Sequence, residues 1–228
     1  MANNFFNAIK TSVSADSTLP TAVYTTPNGL KSILIELDVS NKSTAGVTVT
    51  VQIEDESQNQ THSLTGTTIN ANASTSAITT GVSGTITTSA AHNLILNDRV
   101  SFACTAAPSF TDAALPPSGD TVLSQTRIYY VQSVGAGASP TTFTIAESES
   151  ASSQLTFDSQ GTATKMTKVH LADIVRDAPV PVGGSLKVIS GQKLVLEAGS
   201  SPEQDKIYVY ASAASAVDAI GSVLQEVS

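Results

Sequence analysis

Three histidines (His62, His92 and His170), one cysteine (Cys104) and a few clustered carboxylates are the residues of this chain whose types suit chemistry. Nucleophilic catalysis sets a Ser, Cys or Thr beside a base. Here His62 lies in a polar linker, His92 in the turn-like Ala91-His92-Asn93, and His170 within a strand pattern, with no Gly-x-Ser-x-Gly elbow anywhere. Zinc wants His or Cys at short fixed spacing, which one Cys and three distant His do not supply. Glu54-Asp55-Glu56, and Asp173 with Asp177, carry oxygen ligands of the kind calcium takes, but neither has the spaced carboxylates and central Gly of a calcium loop. They read as solvated acidic strand ends. Glycoside hydrolysis needs two carboxylates across a cleft, and Glu147 with Glu149 or Asp158 are separated in a way that gives no reason to pair them. Gly183-Gly184 and Gly135-Ala136-Gly137 neither precede a helix nor carry the Lys-Ser/Thr of a phosphate cradle, so they read as turn glycines. The expectation is no catalytic residue, no metal site and no cofactor.

The elements that would position such groups are strands. In Lys31-Ser32-Ile33-Leu34-Ile35-Glu36-Leu37-Asp38-Val39 and again over Val47 to Glu54, apolar residues alternate with mostly polar ones, as on strands with one wet face. The turn Asn41-Lys42-Ser43-Thr44-Ala45-Gly46 between them predicts a hairpin or a near-neighbour pair. Strand patterns return at Met166 to Val175, Ser185 to Ile189, Lys193 to Glu197, Lys206 to Tyr210 and Asp218 to Val227. Ala is frequent over Ala213 to Val227, which would suit a helix, but Gly221 and the β-branched Val217, Ile220, Val223 and Val227 favour strand. Two prolines make Asp177 to Gly184 an extended loop outside any ladder. These outer segments amount to about seven or eight strands, the number of an antiparallel sandwich or jelly roll.

Between them composition changes. Ser, Thr, Gly and Asn dominate Thr65 to Ser89 and a Pro-rich stretch spans Ala107 to Ser118, but Thr85 to Thr88, Asp98 to Phe102, Thr126 to Val131 and Thr142 to Ile145 are strand segments. The chain therefore reads as all-β: an antiparallel sandwich or jelly-roll-like domain, residues 1–56 plus 166–228, interrupted by a second small β domain over 57–165. Aromatics are 5% of 228 residues and Trp is absent, so the cores must be built from Val, Ile, Leu and Ala. Charged residues are 13% while Ser and Thr make about a quarter, a neutral polar surface compatible with close packing of copies.

A net charge of −8 with 11 scattered basic residues argues against a nucleic-acid partner. No run approaches the roughly eighteen apolar residues of a membrane span, and Met1 to Phe6 lacks the basic start of a signal peptide, which predicts folding in the cytoplasm. Two sets of apolar residues point to partners. Phe5, Phe6 and Ile9, among Asn3, Asn4 and Asn7, are costly if left in water, so they either pack on their own sandwich or dock on a neighbouring subunit. Phe110, Tyr129, Tyr130 and Phe143 are candidate stacking faces for a glycan, although Tyr129 and Tyr130 point to opposite sides of one strand.

Several segments carry a resemblance: Asn4-Phe5-Phe6-Asn7-Ala8-Ile9-Lys10-Thr11-Ser12, the turn Val23 to Gly29, the loop Asp177 to Leu186, and Gly191 to Gly199. Together they make the outer region resemble a family of tailed-bacteriophage virion structural proteins common among cyanophages. Thr87 to Leu94, Asn97 to Phe102, Ile128 to Val131 and Thr142 to Ile145 are similar to a short module of phage tail and fibre proteins, here lengthened by the Ala107 to Gly119 extension. The resemblance implies a non-enzymatic virion subunit, made in the host cytoplasm and placed on the head surface, neck, collar or tail. Its partners would be copies of itself and other virion proteins, or, in the alternative, a host-surface glycan.

Overall fold

The computed structural model describes residues 4–64, 84–110, 118–149, 151, 154–157, 162–198 and 204–226. The chain begins with β1 (Asn4–Lys10), β2 (Thr21–Thr25), β3 (Lys31–Asn41) and β4 (Val47–Glu54), and makes a single 3-10 turn at Glu56–Gln58. It continues through β5 (Gln60–Ser63), β6 (Ile86–Thr87), β7 (Arg99–Ala106), β8 (Tyr129–Val134), β9 (Thr142–Ala146) and β10 (Thr162–Val169). It then returns through β11 (Leu171–Val180), β12 (Ser185–Ile189), β13 (Leu194–Glu197), β14 (Lys206–Ala211) and β15 (Val217–Glu226). The fold is all-β and antiparallel, with no α-helix among the described residues.

The chain divides into two compact units, Met1–Gln58 with His170–Ser228, and Asn59–Val169. The boundaries differ slightly from the sequence expectation. The run Met166 to Val175 is two strands broken at the exposed His170: Met166 is fully buried in the inserted unit, and Leu171 already pairs with Glu54 of the outer one.

The outer unit is a sandwich. One sheet has the order β1-β15-β3-β12, with β13 also on β3, and the other has β11-β4-β14-β2. Val and Ile alternation supplies the core between them: Leu34, Leu37, Val39 and Val223 from the first sheet meet Val49, Val51, Ile207 and Val209 from the second, all at most 1% exposed. The strand prediction for the last segment holds, and Gly221 lies opposite Leu37 within it.

Two sequence expectations are overturned here. β3 and β4 do not form a hairpin; they belong to opposite sheets. The turn between them is instead a corner, built on the buried amide of Asn41. Its Nδ2 donates to the carbonyls of Ala45 (2.8 Å), Val180 (3.0 Å) and Pro181 (3.2 Å), while its Oδ1 accepts from the backbone N–H (2.9 Å) and hydroxyl (2.8 Å) of Ser43. The second correction concerns Asp177 to Gly184: β11 runs through Pro179, which lies opposite Thr48. A proline is tolerated there because β11 is the edge of its sheet, where a missing N–H costs no ladder bond if it faces outward. β11 is also bulged twice, with Asp177 at φ 49° and its N–H donated to Thr50 Oγ1 at 3.1 Å.

The inserted unit is one six-stranded sheet, β5-β10-β7-β8-β9-β6, whose core includes Ile86, Phe102, Tyr129, Ile145, Phe157 and Met166. Gly84 stands just before β6 at φ 101°, and a Cβ there would overlap the Leu155 carbonyl oxygen, so only glycine fits.

Because one buried side chain donates to the Val180 and Pro181 carbonyls, Asn41→Ala should lower the stability of the outer unit by about 2 kcal/mol, the cost of taking a donor from a buried acceptor. Urea unfolding followed by circular dichroism checks this, and a change under about 0.5 kcal/mol would contradict the role given to the amide.

Candidate assembly surface

Among the described strands β1 is an edge, paired only with β15, from Asn4↔Gln225 to Lys10↔Ala219 without a register shift. Strand geometry sends alternate side chains to opposite faces. Phe6 and Ala8 therefore turn inward onto the core, the Phe6 ring 6.0 Å from that of Tyr24, while Phe5 (61% exposed) and Ile9 (57%) turn outward. The two options left open for this segment are thus divided between residues. Phe6 packs on its own sandwich, and Phe5 and Ile9 are free to meet something else.

The outward pair belongs to a larger pattern, because residues directly opposite each other on paired strands share a face. Phe5 lies opposite Leu224, Leu224 opposite Ile33, and Ile33 opposite Val195, which makes an apolar row across β1, β15, β3 and β13. Val195 is 52% exposed. A parallel row runs Ile9, Ile220, Asp38, Lys187, with Ile220 also exposed, and the polar row Asn7, Ser222, Glu36 separates the two. Ion pairs flank the apolar residues: Lys31 to Glu197 at 2.9 Å beside the first row, and Lys187 to Glu36 at 2.8 Å at the charged end of the second.

The four aromatics expected to face a ligand do not. Phe110, Tyr129, Tyr130 and Phe143 are all buried, at 4%, 0%, 4% and 1% exposure. Phe110 stacks on Phe157 with ring centroids 5.1 Å apart, and Phe143 receives the edge of His92 at 5.2 Å. Tyr129 packs beside Phe102, and its hydroxyl accepts the Ser124 N–H at 2.9 Å. Tyr130, on the opposite side of its strand, lies beneath the guanidinium of Arg99 at 5.7 Å. Alternation located the two faces of this strand correctly, but nothing in the residue types indicated that both would be covered. The most exposed apolar residues described in the inserted unit are instead the adjacent Ile95 and Leu96 (66% and 58%). They occupy a turn in which Ile95 N–H donates to Asp98 Oδ2 (2.8 Å) and Asp98 N–H to the Ile95 carbonyl (3.1 Å), with Asn97 at φ 68°. The run Leu94-Ile95-Leu96 directly before Asn97-Asp98 was the available signal: three consecutive apolar residues at a turn cannot all be buried.

Several titratable groups hold strands and loops in place. Glu54 accepts from the Tyr208 hydroxyl (3.0 Å) and Lys206 Nζ (3.1 Å), and Lys206 also reaches Glu56 at 2.5 Å. Burial, with the adjacent Glu54 charge, pushes the Tyr208 phenol well above its ordinary range. Asp173 accepts from Gln52 Nε2 at 2.7 Å, and both it and Asp177 face Arg176. Glu147 takes the Ser118 N–H (2.8 Å) and hydroxyl (2.6 Å) and faces Arg127 at 3.7 Å, fixing one end of the Pro-rich extension. Asp158, its suggested counterpart in hydrolysis, lies outside the described residues, as do positions 111–117 of that extension. Burial raises the pKa of the Cys104 thiol, so it favours the neutral form. No group of three or more His, Cys, Asp or Glu among the described residues could hold a metal ion.

His92 is fully buried. Its Nδ1 accepts the Leu94 N–H at 3.0 Å and its Nε2 faces the Thr142 carbonyl at 3.2 Å, an arrangement that only the neutral Nε2–H tautomer satisfies. Burial lowers its pKa, the Thr142 bond opposing in part, and burial with the nearby Lys168 charge lowers that of His62.

Two outcomes follow. Phe6→Ala should destabilise the outer unit by about 2 kcal/mol, while Phe5→Ser and Ile9→Ser stay within about 0.5 kcal/mol, as urea unfolding will measure. For the histidines, the folded state resists a proton that the unfolded chain accepts near pH 6.5. The inserted unit should therefore keep its full stability above pH 6.5 and lose it progressively below, and the slope should flatten in a His62→Gln, His92→Gln double variant compared by thermal melts at pH 7.5 and 5.5.

In comparisons with known proteins, no family model, no curated protein and no solved structure matches this chain.

Proposed function

We propose that the chain is a non-enzymatic structural subunit of a tailed-phage virion, an accessory protein of the head surface or of the neck, collar or tail. It works by associating with copies of itself and docking on other virion proteins. The observation that carries this reading is the outer face of the β1 sheet, where Phe5, Leu224, Ile33 and Val195 form an apolar row beside an open strand edge. A soluble domain that exposes apolar side chains in line, flanked by ion pairs, presents an interaction surface rather than a reaction site. The resemblance of Asn4 to Ser12, Asp177 to Leu186 and Gly191 to Gly199 to virion structural proteins supports the same reading. So does a weakly charged, Ser/Thr-rich composition. The glycan-binding alternative rested on four aromatic faces, all of which lie in the core of the inserted unit or beneath Arg99.

Immunogold electron microscopy of purified particles, with an antibody raised against residues 59–169, tests the proposal. Even label on heads is expected of a decoration protein, and label confined to the neck or tail of an accessory to the tail machine. Particles without label, and without peptides of this chain by mass spectrometry, would remove it from the virion.

A further inference from the structure

We infer that the open edge of β1 pairs antiparallel with β1 of a second copy of this chain, about a twofold axis through Asn7, joining two outer sheets into one. This deepens the assembly reading above and rests on it for its biological setting. Two independent observations carry it.

The first is that β1 lacks the devices that keep sheet edges from pairing. Among the described strands, the other edges of the outer unit are protected. β11 carries Pro179, Arg176, Asp177 and two bulges; β2 and β12 are short and bulged, and β13, paired with β3, is four residues long. In the inserted unit, β5 and β6 are four and two residues long. β1 is seven residues long, unbulged, free of proline, and has Lys10 at its end as its only charge.

The second is that its sequence complements itself in one register. With Asn7 opposite Asn7 of the second copy, Phe5 lies opposite Ile9, Phe6 opposite Ala8, and Asn4 opposite Lys10. The exposed apolar residues meet on the outer face, the inward residues meet over the two cores, and no like charges oppose. A shift of two residues either way keeps the faces but sets Phe5 or Ile9 against Asn7, and an odd shift turns every side chain to the wrong face. The chosen register also extends the apolar row, Val195, Ile33, Leu224 and Phe5 of one copy continuing into Ile9 and Ile220 of the other. A single strand pair buries less than a stable standard-sized interface, so the dimer should dissociate on dilution.

The test uses the purified full chain. Sedimentation velocity should show a monomer–dimer equilibrium that Ile9→Lys shifts to monomer, with its circular dichroism unchanged because Ile9 is exposed. Mild oxidation on a Cys104→Ser background then reads the register. Asn7→Cys should form a disulfide with itself, its Cα atoms about 4.5–5.5 Å apart. Phe5→Cys or Ile9→Cys alone should not, since like positions lie about 13 Å apart along the strand, but an equal mixture of the two should form the mixed disulfide. A monomer at every concentration, a trimer or larger closed ring, or equal crosslinking at all three positions would overturn the inference. Because this assay needs no particle, a monomeric chain that still labels virions removes only the dimer, and a dimer absent from virions removes only the virion role.

Discussion

The outer sandwich depends on how its chain crosses between sheets without stranding backbone polar groups. β3 ends in one sheet and β4 starts in the other, so neither can supply the ladder bonds of the residues between them. Asn41 resolves this with a single side chain. Its two N–H groups are shared among three carbonyls, two of them from the end of β11, while its own backbone N–H donates to the Gly184 carbonyl at 2.9 Å and that of Lys42 to Ala216 at 2.9 Å. The end of β11 and the segment before β4 therefore meet at one buried amide, and the backbone N–H groups of Asn41 and Lys42 tie in the segments that lead into β12 and β15. Without it, the adjacent Val180 and Pro181 carbonyls would lose this donor, and the two sheets would lose a joint that fixes their facing residues.

The same requirement, that every buried backbone group be paired, is relaxed only at sheet edges, and the two sheets handle their edges differently. In the β11 sheet, proline, bulges and charge make the outer strand a poor template. In the β1 sheet, seven regular residues leave it open. The side chains of β1 divide accordingly, with Phe6 and Ala8 closing the core and Phe5 and Ile9 left in solvent. A strand that stabilises its own domain through one set of residues and presents another set outward can be optimised for association without weakening the fold.

How much of this was legible in the sequence follows from the range of the interactions concerned. Alternation is local, and it located β3, β4, β12, β13, β14 and β15 within a few residues. Which strands pair is set by distant partners. The run of residues around Asn41 looks like a hairpin turn because its distinguishing contacts are made 139 and 140 positions away. Pro179 looked incompatible with a ladder because edge position is a property of the whole sheet. The aromatics failed for a similar reason: Tyr130 is covered by Arg99, its cross-strand neighbour on β7. Phe5, Phe6 and Ile9 were singled out correctly as a group, since apolar residues among asparagines are unusual, but their division between core and surface needed the register with β15.

The position of the insert follows from the same accounting. β4 and β11 are antiparallel neighbours, with Glu54 opposite Leu171, and Asp55 N–H donates to the His170 carbonyl at 3.2 Å. The chain thus leaves and re-enters the outer unit across one strand pair, where an ordinary sandwich would need only a short turn. Closing a longer loop there costs little more than closing a short one, since the entropy penalty grows only with the logarithm of length. A second unit with its own core can occupy such a loop while the outer ladder stays in register, because the pairing from Glu54↔Leu171 to Val47↔Val180 is made wholly by outer-unit residues. The two units can therefore change independently, the outer one keeping its edge and apolar row while the inserted one alters what its Ile95–Leu96 turn presents.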